Sequence, residues 1–345
     1  MSLADLWFVI VAIFWTGFFV LEGFDFGVGA LHSIVGRSET ERRVAINTIG
    51  PFWDGNEVWL VVGGAAIFAA FPSWYATWLS ASYLAVMLLL LALIIRGVSF
   101  EYRGKGHSDS WRSTWSLTLT VGSVLAPTVL GIAIGDLVAG LPVNADEEFT
   151  GSFWDLFTGF GVWTGLTLLL LCLLHGAAFL ALRSTGDLAA RARRFAQVLA
   201  MAGLVAVLVL AVWLVGIGNQ GAGTYVLLVL APLGVLGALV GLRQGSDGRA
   251  FTATAIAMAT TVASLFASLY PDVLVSSTAA ANTITVAGAA SGDYALKVMT
   301  IVAAVFFPLV LLYQGYTYVV FRHRVEGTPP PSGTRRGQDT ALPAG

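Results

Sequence analysis

Apolar residues fill most of this chain in long runs, and polar residues collect in short stretches between them. A helix needs about 20 predominantly apolar residues to cross the hydrocarbon core of a bilayer, and the pattern predicts about nine such helices. The predicted spans are residues 6–33, 47–71, 74–97, 114–139, 153–182, 195–218, 223–243, 251–272 and 295–321. The second is the weakest, because the polar string GPFWDGNEVW precedes its apolar part.

The basic residues give these spans an orientation, because cytoplasmic loops carry an excess of Lys and Arg. Of the 18 Lys and Arg residues, all but Lys297 follow an odd-numbered span, whereas the loops after the even-numbered spans carry none. The alternation predicts an external N-terminus and a cytoplasmic C-terminus. We expect Lys297, near the outer end of the last span, to pair with an acid such as Asp293 or to extend outward.

The composition agrees with a membrane protein. Of the 345 residues, 57% are hydrophobic and 11% are charged, whereas soluble domains carry roughly 25% charged residues. The first apolar run lacks the basic start of a signal peptide, so we expect it to remain as a helix. Cys172 is the single cysteine, which excludes a disulfide framework. Residues 1–324 are predicted to form one membrane domain, and 325–345, rich in Pro and Gly, a flexible cytoplasmic tail.

Two acids lie inside the first span, in the string GFFVLEGFDFGVGALH. Helical spacing places Glu22, Asp25, Gly29 and His32 on one face, which cannot face lipid. Ionisable groups at membrane depth cost at least about 2.5 kcal/mol and are usually functional. The face is therefore a proton path, a contact with a charged cofactor, or a packed interface without chemistry.

The second span opens with a dense group of acids and tryptophans, Trp53, Asp54, Glu57 and Trp59. Asp54 and Glu57 are three residues apart and can share a helix face. Pro51 allows a break in the helix, which membranes tolerate where the backbone lines protein or a cavity. The alternative is a solvated helix start at the cytoplasmic surface.

The histidines do not form an evident set of haem ligands. Haem iron needs a well-placed axial His, Met, Cys or Tyr, and His32, His107, His175 and His323 are dispersed along the chain. We expect His32 and His175, near cytoplasmic span ends, to be hydrogen-bonded. Nucleotide-binding, paired-cysteine and nucleophile-elbow motifs are also missing from the sequence, so the chain is predicted to be a poor catalyst by itself.

Three strings together resemble one family. They are LEGFDFGVGAL at 21–31, RRVAINTIGPFWDGNEVWLVVGGAAIFAAFPSWYA at 42–76 and RGVSFEYRGK at 96–105. They closely resemble subunit II of cytochrome bd, a bacterial quinol oxidase, and the likeness continues in order from about residue 6 to 322. The short connection GNQGAG departs from relatives that carry a long external insertion there.

The resemblance implies an all-α membrane fold of two four-helix bundles plus one peripheral helix. It implies a heterodimer with a larger subunit I that ligates haem b and haem d, in the bacterial cytoplasmic membrane. Small single-span accessory subunits and lipids are further expected partners, and nucleic acid is not. The complex would oxidise quinol and reduce oxygen to water with protons from the cytoplasm, as an electrogenic oxidase.

The resemblance also suggests roles for individual residues. Asp25 and Asp54 match intramembrane acids of a proton route or haem neighbourhood, and Trp59 matches a residue beside a lateral oxygen entrance. The remaining proton-route and oxygen-route candidates are Glu22, Glu57, Glu101, Lys105 and Trp53.

Three hypotheses follow for these residues. In the first, the buried acids relay protons toward the haem-bearing subunit. In the second, the chain is a scaffold that holds that subunit and shapes an oxygen channel. The third is a multi-pass secondary transporter, since membrane acids and interrupted helices are also marks of that class.

Overall fold

The structure, a computed structural model, describes residues 2–106 and 108–326. Within these residues helices dominate, and a two-stranded antiparallel sheet completes the fold. The helices are α1 Leu3–Val35, α2 Glu39–Ile49, α3 Trp53–Ala70, α4 Pro72–Ala81, α5 Tyr83–Tyr102, α6 Asp109–Ala139, α7 Gly159–Arg183, α8 Gly186–Ile217, α9 Ala222–Arg243, α10 Asp247–Leu269, α11 Val286–Ala289 and α12 Asp293–Val320. The strands are β1 Asp272–Leu274 and β2 Ile284–Thr285.

The long helices form two groups. Helices α1, α3, α5 and α6 pack together, as do α7, α8, α9 and α10. Helix α1 joins the groups, because it contacts α7 and α10 as well as α3 and α6. Helix α12 lies outside both groups, and only 6% of the residues in its most apolar 18-residue segment are buried. The all-α membrane fold with two bundles and a peripheral helix is thus confirmed.

Eight helices within residues 2–106 and 108–326 are long and apolar enough to cross a membrane, and α3 is not among them. Asp54, Asn56 and Glu57 lower the hydropathy of its first turns. Its 18 residues extend about 27 Å, close to the thickness of the hydrocarbon core. That α3 makes a ninth crossing of the membrane remains our prediction. This crossing is needed if the loops that carry the basic residues are to lie on one side of the membrane.

The second predicted span, 47–71, was wrong as one continuous helix. Helix α2 ends at Ile49, a turn occupies residues 50–52, and α3 begins at Trp53. Proline at position 51 explains the break, because it has no backbone N–H to continue the helical hydrogen bonds.

Two other spans also differ from prediction. The span 74–97 is interrupted at Ser82, where α4 meets α5. The helical backbone hydrogen bonds continue across this interruption, since Ser82 N donates to Trp78 O and Val86 N donates to Ser82 O. The predicted start at 153 was wrong, since residues 153–156 form a 3₁₀ turn. Helix α7 starts at Gly159 because the Thr158 hydroxyl caps it, accepting from Gly161 N at 2.9 Å.

The connections on the acidic side of the membrane contain structure that the apolar pattern did not predict. Asp272 pairs with Thr285 in the β1–β2 ladder, and Leu141 bridges to Ser276. The Ser276 and Thr278 hydroxyls both donate to Val143 O. This layer ties the loop after α6 to the loop after α10. Lys297 nearby is exposed and forms no ion pair with the described residues, so its pairing with Asp293 is not observed.

The two bundles meet where α1 and α7 pass each other at glycines. A Cβ atom at Gly27 would overlap the carbonyl oxygen of Cys172, and one at Gly176 would overlap the Gly27 backbone. Small residues permit such close approach of membrane helices. The crossing positions α1, and with it the acids one turn away.

We therefore expect Gly27→Ala to destabilise the protein by at least about 1–3 kcal/mol, the usual cost of overpacking. The measurement is the thermal unfolding temperature of the purified protein. Gly64→Ala is the matched control, because a Cβ there meets no atom within 4 Å. Equal unfolding temperatures for the two variants would contradict the proposed crossing.

Candidate functional site

Polar side chains from three helices meet inside the protein toward the basic side. We call Glu22, Asp25, Asn56, Glu57 and Arg96 the acid–arginine cluster. Helix α1 supplies the first two, α3 the next two, and α5 the arginine. Of these, only Glu57 has an exposed portion, 23% of its side chain.

Arg96 is the cation of the cluster. Its Nη2 lies 2.6 Å from Glu22 Oε1, with both side chains fully buried, and its Nη1 donates to Glu57 Oε2 at 3.3 Å. The guanidinium also stands 4.7 Å from the ring centroid of Phe26 and 5.3 Å from that of Phe100. Aromatic faces stabilise a cation by electrostatic attraction, so Arg96 is held between two carboxylates and two rings.

Asn56 is the hydrogen-bond junction of the cluster. Its Nδ2 donates to Asp25 Oδ2 at 2.7 Å and to Leu21 O at 3.0 Å. Its Oδ1 accepts from Gln314 Nε2 at 2.8 Å and from the Tyr318 hydroxyl at 3.1 Å. The amide thus links α1 and α3 to the peripheral helix α12.

The cluster carries more negative groups than positive ones. Three carboxylates face one arginine, and Glu22 and Asp25 are adjacent on α1. Asp25 Oδ1 and both Glu22 oxygens lack a hydrogen-bond donor among the described residues, although Glu22 has its ion contact with Arg96. Buried charges are costly unless paired. A cluster with an excess of carboxylates can take up a proton and thereby reduce that cost.

Asp54 does not join this cluster. It is exposed in the first turn of α3. It lies one helical turn before Glu57, nearer the start of α3. Glu101 and Lys105 are also exposed, and the Lys105 ammonium lies 4.6 Å from the Tyr102 ring centroid. The structure therefore separates an inner set of acids from an outer set.

The two candidate tryptophans flank the cluster. Trp53 stacks on Phe100 with centroids 4.7 Å apart, and Phe100 in turn contacts Arg96. Trp59 is 7% exposed, and its Nε1 donates to Gln314 Oε1 at 3.2 Å. A continuous hydrogen-bonded path therefore runs from Trp59 through Gln314 and Asn56 to Asp25.

A large apolar cavity of about 1160 Å³ adjoins this path. It lies between α1, α9, α10 and α12, and its lining includes Trp59, Gln314 and Tyr318. Its other walls are mainly apolar. Apolar ligands can occupy such a space.

The two histidines within spans are engaged in hydrogen bonds. His175 Nδ1 contacts Thr254 Oγ1 at 2.6 Å, its Nε2 contacts Val20 O at 3.1 Å, and its ring stacks on Phe251. His32 contacts Gly29 O and the Ser33 hydroxyl. Both rings are therefore built into the helix packing, as predicted. His323 is exposed, and His107 lies outside the described residues.

Ion pairs tie helix ends together on the basic side. Arg103 contacts Glu39 at 2.8 Å, Arg191 contacts Glu41 at 2.5 Å, and Arg193 binds Asp247 through two bonds of 2.9 Å. Partial burial acts to raise the pKa of Glu41, but Arg191 and two backbone N–H donors hold that pKa below its ordinary value.

Several of these residues were missed or misplaced by sequence reasoning. Arg96 was counted only among the basic residues at the cytoplasmic end of the third span, yet it is fully buried within α5. Asn56 was noted only as part of a motif, and Gln314 and Tyr318 were not selected. A signal existed for Gln314, because an uncharged polar residue inside an apolar span often bonds across helices.

The fold and the cluster define a class, that of multi-pass helical membrane proteins with a buried network of ionisable groups. Comparison with known protein families narrows this class. The family model of cytochrome bd terminal oxidase subunit II matches residues 3–321 of the chain. The chain belongs to this family.

Relatives of the chain carry the corresponding names. It is 46% identical over 333 residues to cytochrome bd ubiquinol oxidase subunit 2 of Bacillus subtilis (strain 168), covering 95% of this chain and 98% of that protein. It is 35% identical over 350 residues to cytochrome bd-I ubiquinol oxidase subunit 2 of Escherichia coli (strain K12), covering 91% and 92%.

A solved structure shows the same fold. The structure of bd oxidase from Geobacillus thermodenitrificans aligns with a TM-score of 0.70 at 19% identity, covering 93% of this chain and 98% of that one. The family resemblance stated from the sequence is confirmed.

The contacts of Arg96 generate a stability prediction. Arg96→Leu should destabilise the protein by about 3–5 kcal/mol, because it leaves buried Glu22 without its counter-charge. Adding Glu22→Gln to Arg96→Leu should restore part of that loss. Thermal unfolding of the purified protein measures both effects.

Arg112→Gln is the control, because its ion pair with Asp109 is at the surface and such pairs contribute little. The pairing would be disproved if Arg96→Leu unfolded at the same temperature as Arg112→Gln, or if Glu22→Gln brought no recovery.

Proposed function

We propose that this chain is the non-haem-ligating subunit II of a cytochrome bd-type quinol oxidase. In this proposal the complex oxidises quinol, reduces oxygen to water and takes up protons from the cytoplasm. The observation that carries the proposal is the acid–arginine cluster, buried among helices yet reaching the surface at Glu57. A scaffold without chemistry gains no stability from three carboxylates around one arginine.

The proposed proton route begins with the outer acids and ends at the inner ones. Asp54 is exposed one turn before Glu57, and Glu57 shares Arg96 with Glu22. Glu22 adjoins Asp25 on α1. Each step joins groups that exchange protons, and Arg96 stabilises the ionised form of the neighbouring carboxylates. Glu101 and Lys105 would act at the surface, in collecting protons.

The haem groups are proposed to reside in a larger partner, subunit I. His32 and His175 do not fit axial ligation, because both nitrogens of each ring already contact protein oxygens. Haem b and haem d would supply electron transfer and oxygen reduction in the partner. The role of this chain is to deliver protons toward that subunit and to support it, with small single-span accessory subunits at the periphery.

The position of the chain in the membrane follows from the same proposal. The basic helix ends would face the cytoplasm, which places Glu22, Asp25 and Glu57 nearer that side. Proton uptake from the cytoplasm coupled to quinol oxidation on the other side would make the oxidase electrogenic. The external N-terminus and the cytoplasmic C-terminus are part of this proposal.

Oxygen is proposed to approach through the apolar region beside Trp59. This indole is packed against Phe14 and Phe307, with centroids 6.2 and 6.0 Å away, and it lines the 1160 Å³ cavity. Oxygen is apolar, so it favours such surroundings over water. Trp53, stacked on Phe100, would instead shield Arg96 from solvent.

The relay is tested with Asp25→Asn in the assembled complex. A tag on this chain should recover a coloured complex with a larger subunit. Asp25→Asn should keep the haem spectrum and lower the rate of quinol-dependent oxygen consumption by roughly 10²-fold, a typical effect of removing a proton-transfer group. Asp54→Asn should also slow turnover, by a smaller factor because water can replace an exposed acid.

Asp187→Asn is the control, since Asp187 is an exposed acid remote from the cluster. Normal turnover of haem-replete Asp25→Asn would exclude the relay at that residue. Loss of haem in the same variant would instead favour the scaffold hypothesis. A colourless single chain would contradict the oxidase assignment and favour a transporter.

A further inference from the structure

A concentration of positive charge lies at the basic end of the protein, away from the acid–arginine cluster. Here a cavity of about 270 Å³ opens between the ends of α7 and α12 and the first turns of α10. We call it the Arg183 cavity. Its lining consists of three arginines on a mainly aromatic wall: Arg183, Arg322, Arg324, Phe52, Phe179, Leu182, Phe251 and Tyr318.

Among the described residues, the lining contains no carboxylate. Asp247 is in ion contact with one of these arginines, since it lies 3.6 Å from Arg324. It already binds Arg193 through two bonds of 2.9 Å. Neither Arg183 nor Arg322 forms an ion pair with the described residues. The cavity therefore carries a positive charge that the described part of the chain does not neutralise.

Arg183 is the deepest of the three arginines. It is only 7% exposed, and its guanidinium lies 5.7 Å from the Phe52 ring centroid and 5.8 Å from that of Phe179. One Nη donates to Phe321 O, but its Nε is buried without an acceptor among the described residues. Buried donors are nearly always paired. A free donor on a buried cation indicates an anionic ligand.

Arginine recognises phosphate particularly well, because its planar fork gives two parallel charge-assisted bonds to the phosphate oxygens. Basic pockets between membrane helices on the cytoplasmic side bind the headgroups of anionic lipids. The Arg183 cavity has this chemistry, at helix ends that face the cytoplasm in the proposed function.

The surface that leads to the cavity favours a lipid over a free ion. Helix α12 ends at Val320, two residues before Arg322. Its outer face is apolar and exposed at Tyr316, Val319 and Val320, by 67%, 59% and 43%. An acyl chain can lie along this face while its headgroup reaches the arginines. We propose that the Arg183 cavity binds the phosphate of an anionic phospholipid.

The binding is tested on the purified, delipidated complex by native mass spectrometry. The complex is titrated with phosphatidylglycerol and, separately, with phosphatidylcholine. We expect one phosphatidylglycerol molecule to bind tightly and phosphatidylcholine to bind more weakly. Each arginine at a headgroup contributes about fivefold in Kd. The double variant Arg322→Gln/Arg324→Gln should therefore weaken phosphatidylglycerol binding by about 25-fold.

Arg243→Gln is the matched control, because Arg243 is an exposed arginine in the last turn of α9 outside the cavity. Arg322 and Arg324 are exposed as well, so their substitution should leave the fold intact. A further arm adds inorganic phosphate, which should not displace the lipid at equal concentration.

Three results would overturn the proposal. They are equal binding of the two lipids, equal binding by the double variant and Arg243→Gln, and displacement of the lipid by inorganic phosphate at equal concentration. The last would identify a site for a free anion. Because oxygen consumption is not the readout, failure here is distinguishable from failure of the proposed oxidase function.

Discussion

The structure depends on one interaction, the fully buried contact between Arg96 and Glu22. Removing two charges from water costs several kcal/mol for each ion, and the bundle offsets that cost with specific neighbours. Phe26 and Phe100 cover the guanidinium, and Glu57 provides a second carboxylate near the surface. The surrounding helices must hold these groups in place, since any separation would leave an uncompensated charge inside the membrane.

Backbone features produce that arrangement. The glycine crossing of α1 and α7 positions the acids of α1, and the break at Pro51 lets α3 start where Asn56 and Glu57 reach them. Helix α12 adds Gln314 and Tyr318 to Asn56 while most of its surface remains uncovered. Packing is thus tight around the cluster and loose at the periphery, where a partner or lipid can bind.

Much of this could be predicted from the sequence. Long apolar runs located the helices, and the spacing of Glu22 and Asp25 placed both acids on a buried face. The kink at Ser82 and the late start of α7 could not be read from hydropathy, since kinks and caps depend on local hydrogen bonds. The burial of Arg96 was missed for a related reason. Near the end of a span, an arginine in a loop and an arginine that points into the protein are preceded by the same kind of apolar sequence. Only tertiary contact with Glu22 distinguishes them. Likewise, the exposure of Asp54 depends on the angle at which α3 leaves the turn at Pro51.

The central claim is that Asp25 gains and loses a proton while the complex turns over. Infrared difference spectroscopy of the assembled complex, recorded between its oxidised and reduced states, measures this directly. The account predicts a carboxyl C=O band that shifts in deuterated water and disappears in haem-replete Asp25→Asn. A difference spectrum that keeps the same carboxyl bands in Asp25→Asn would contradict it.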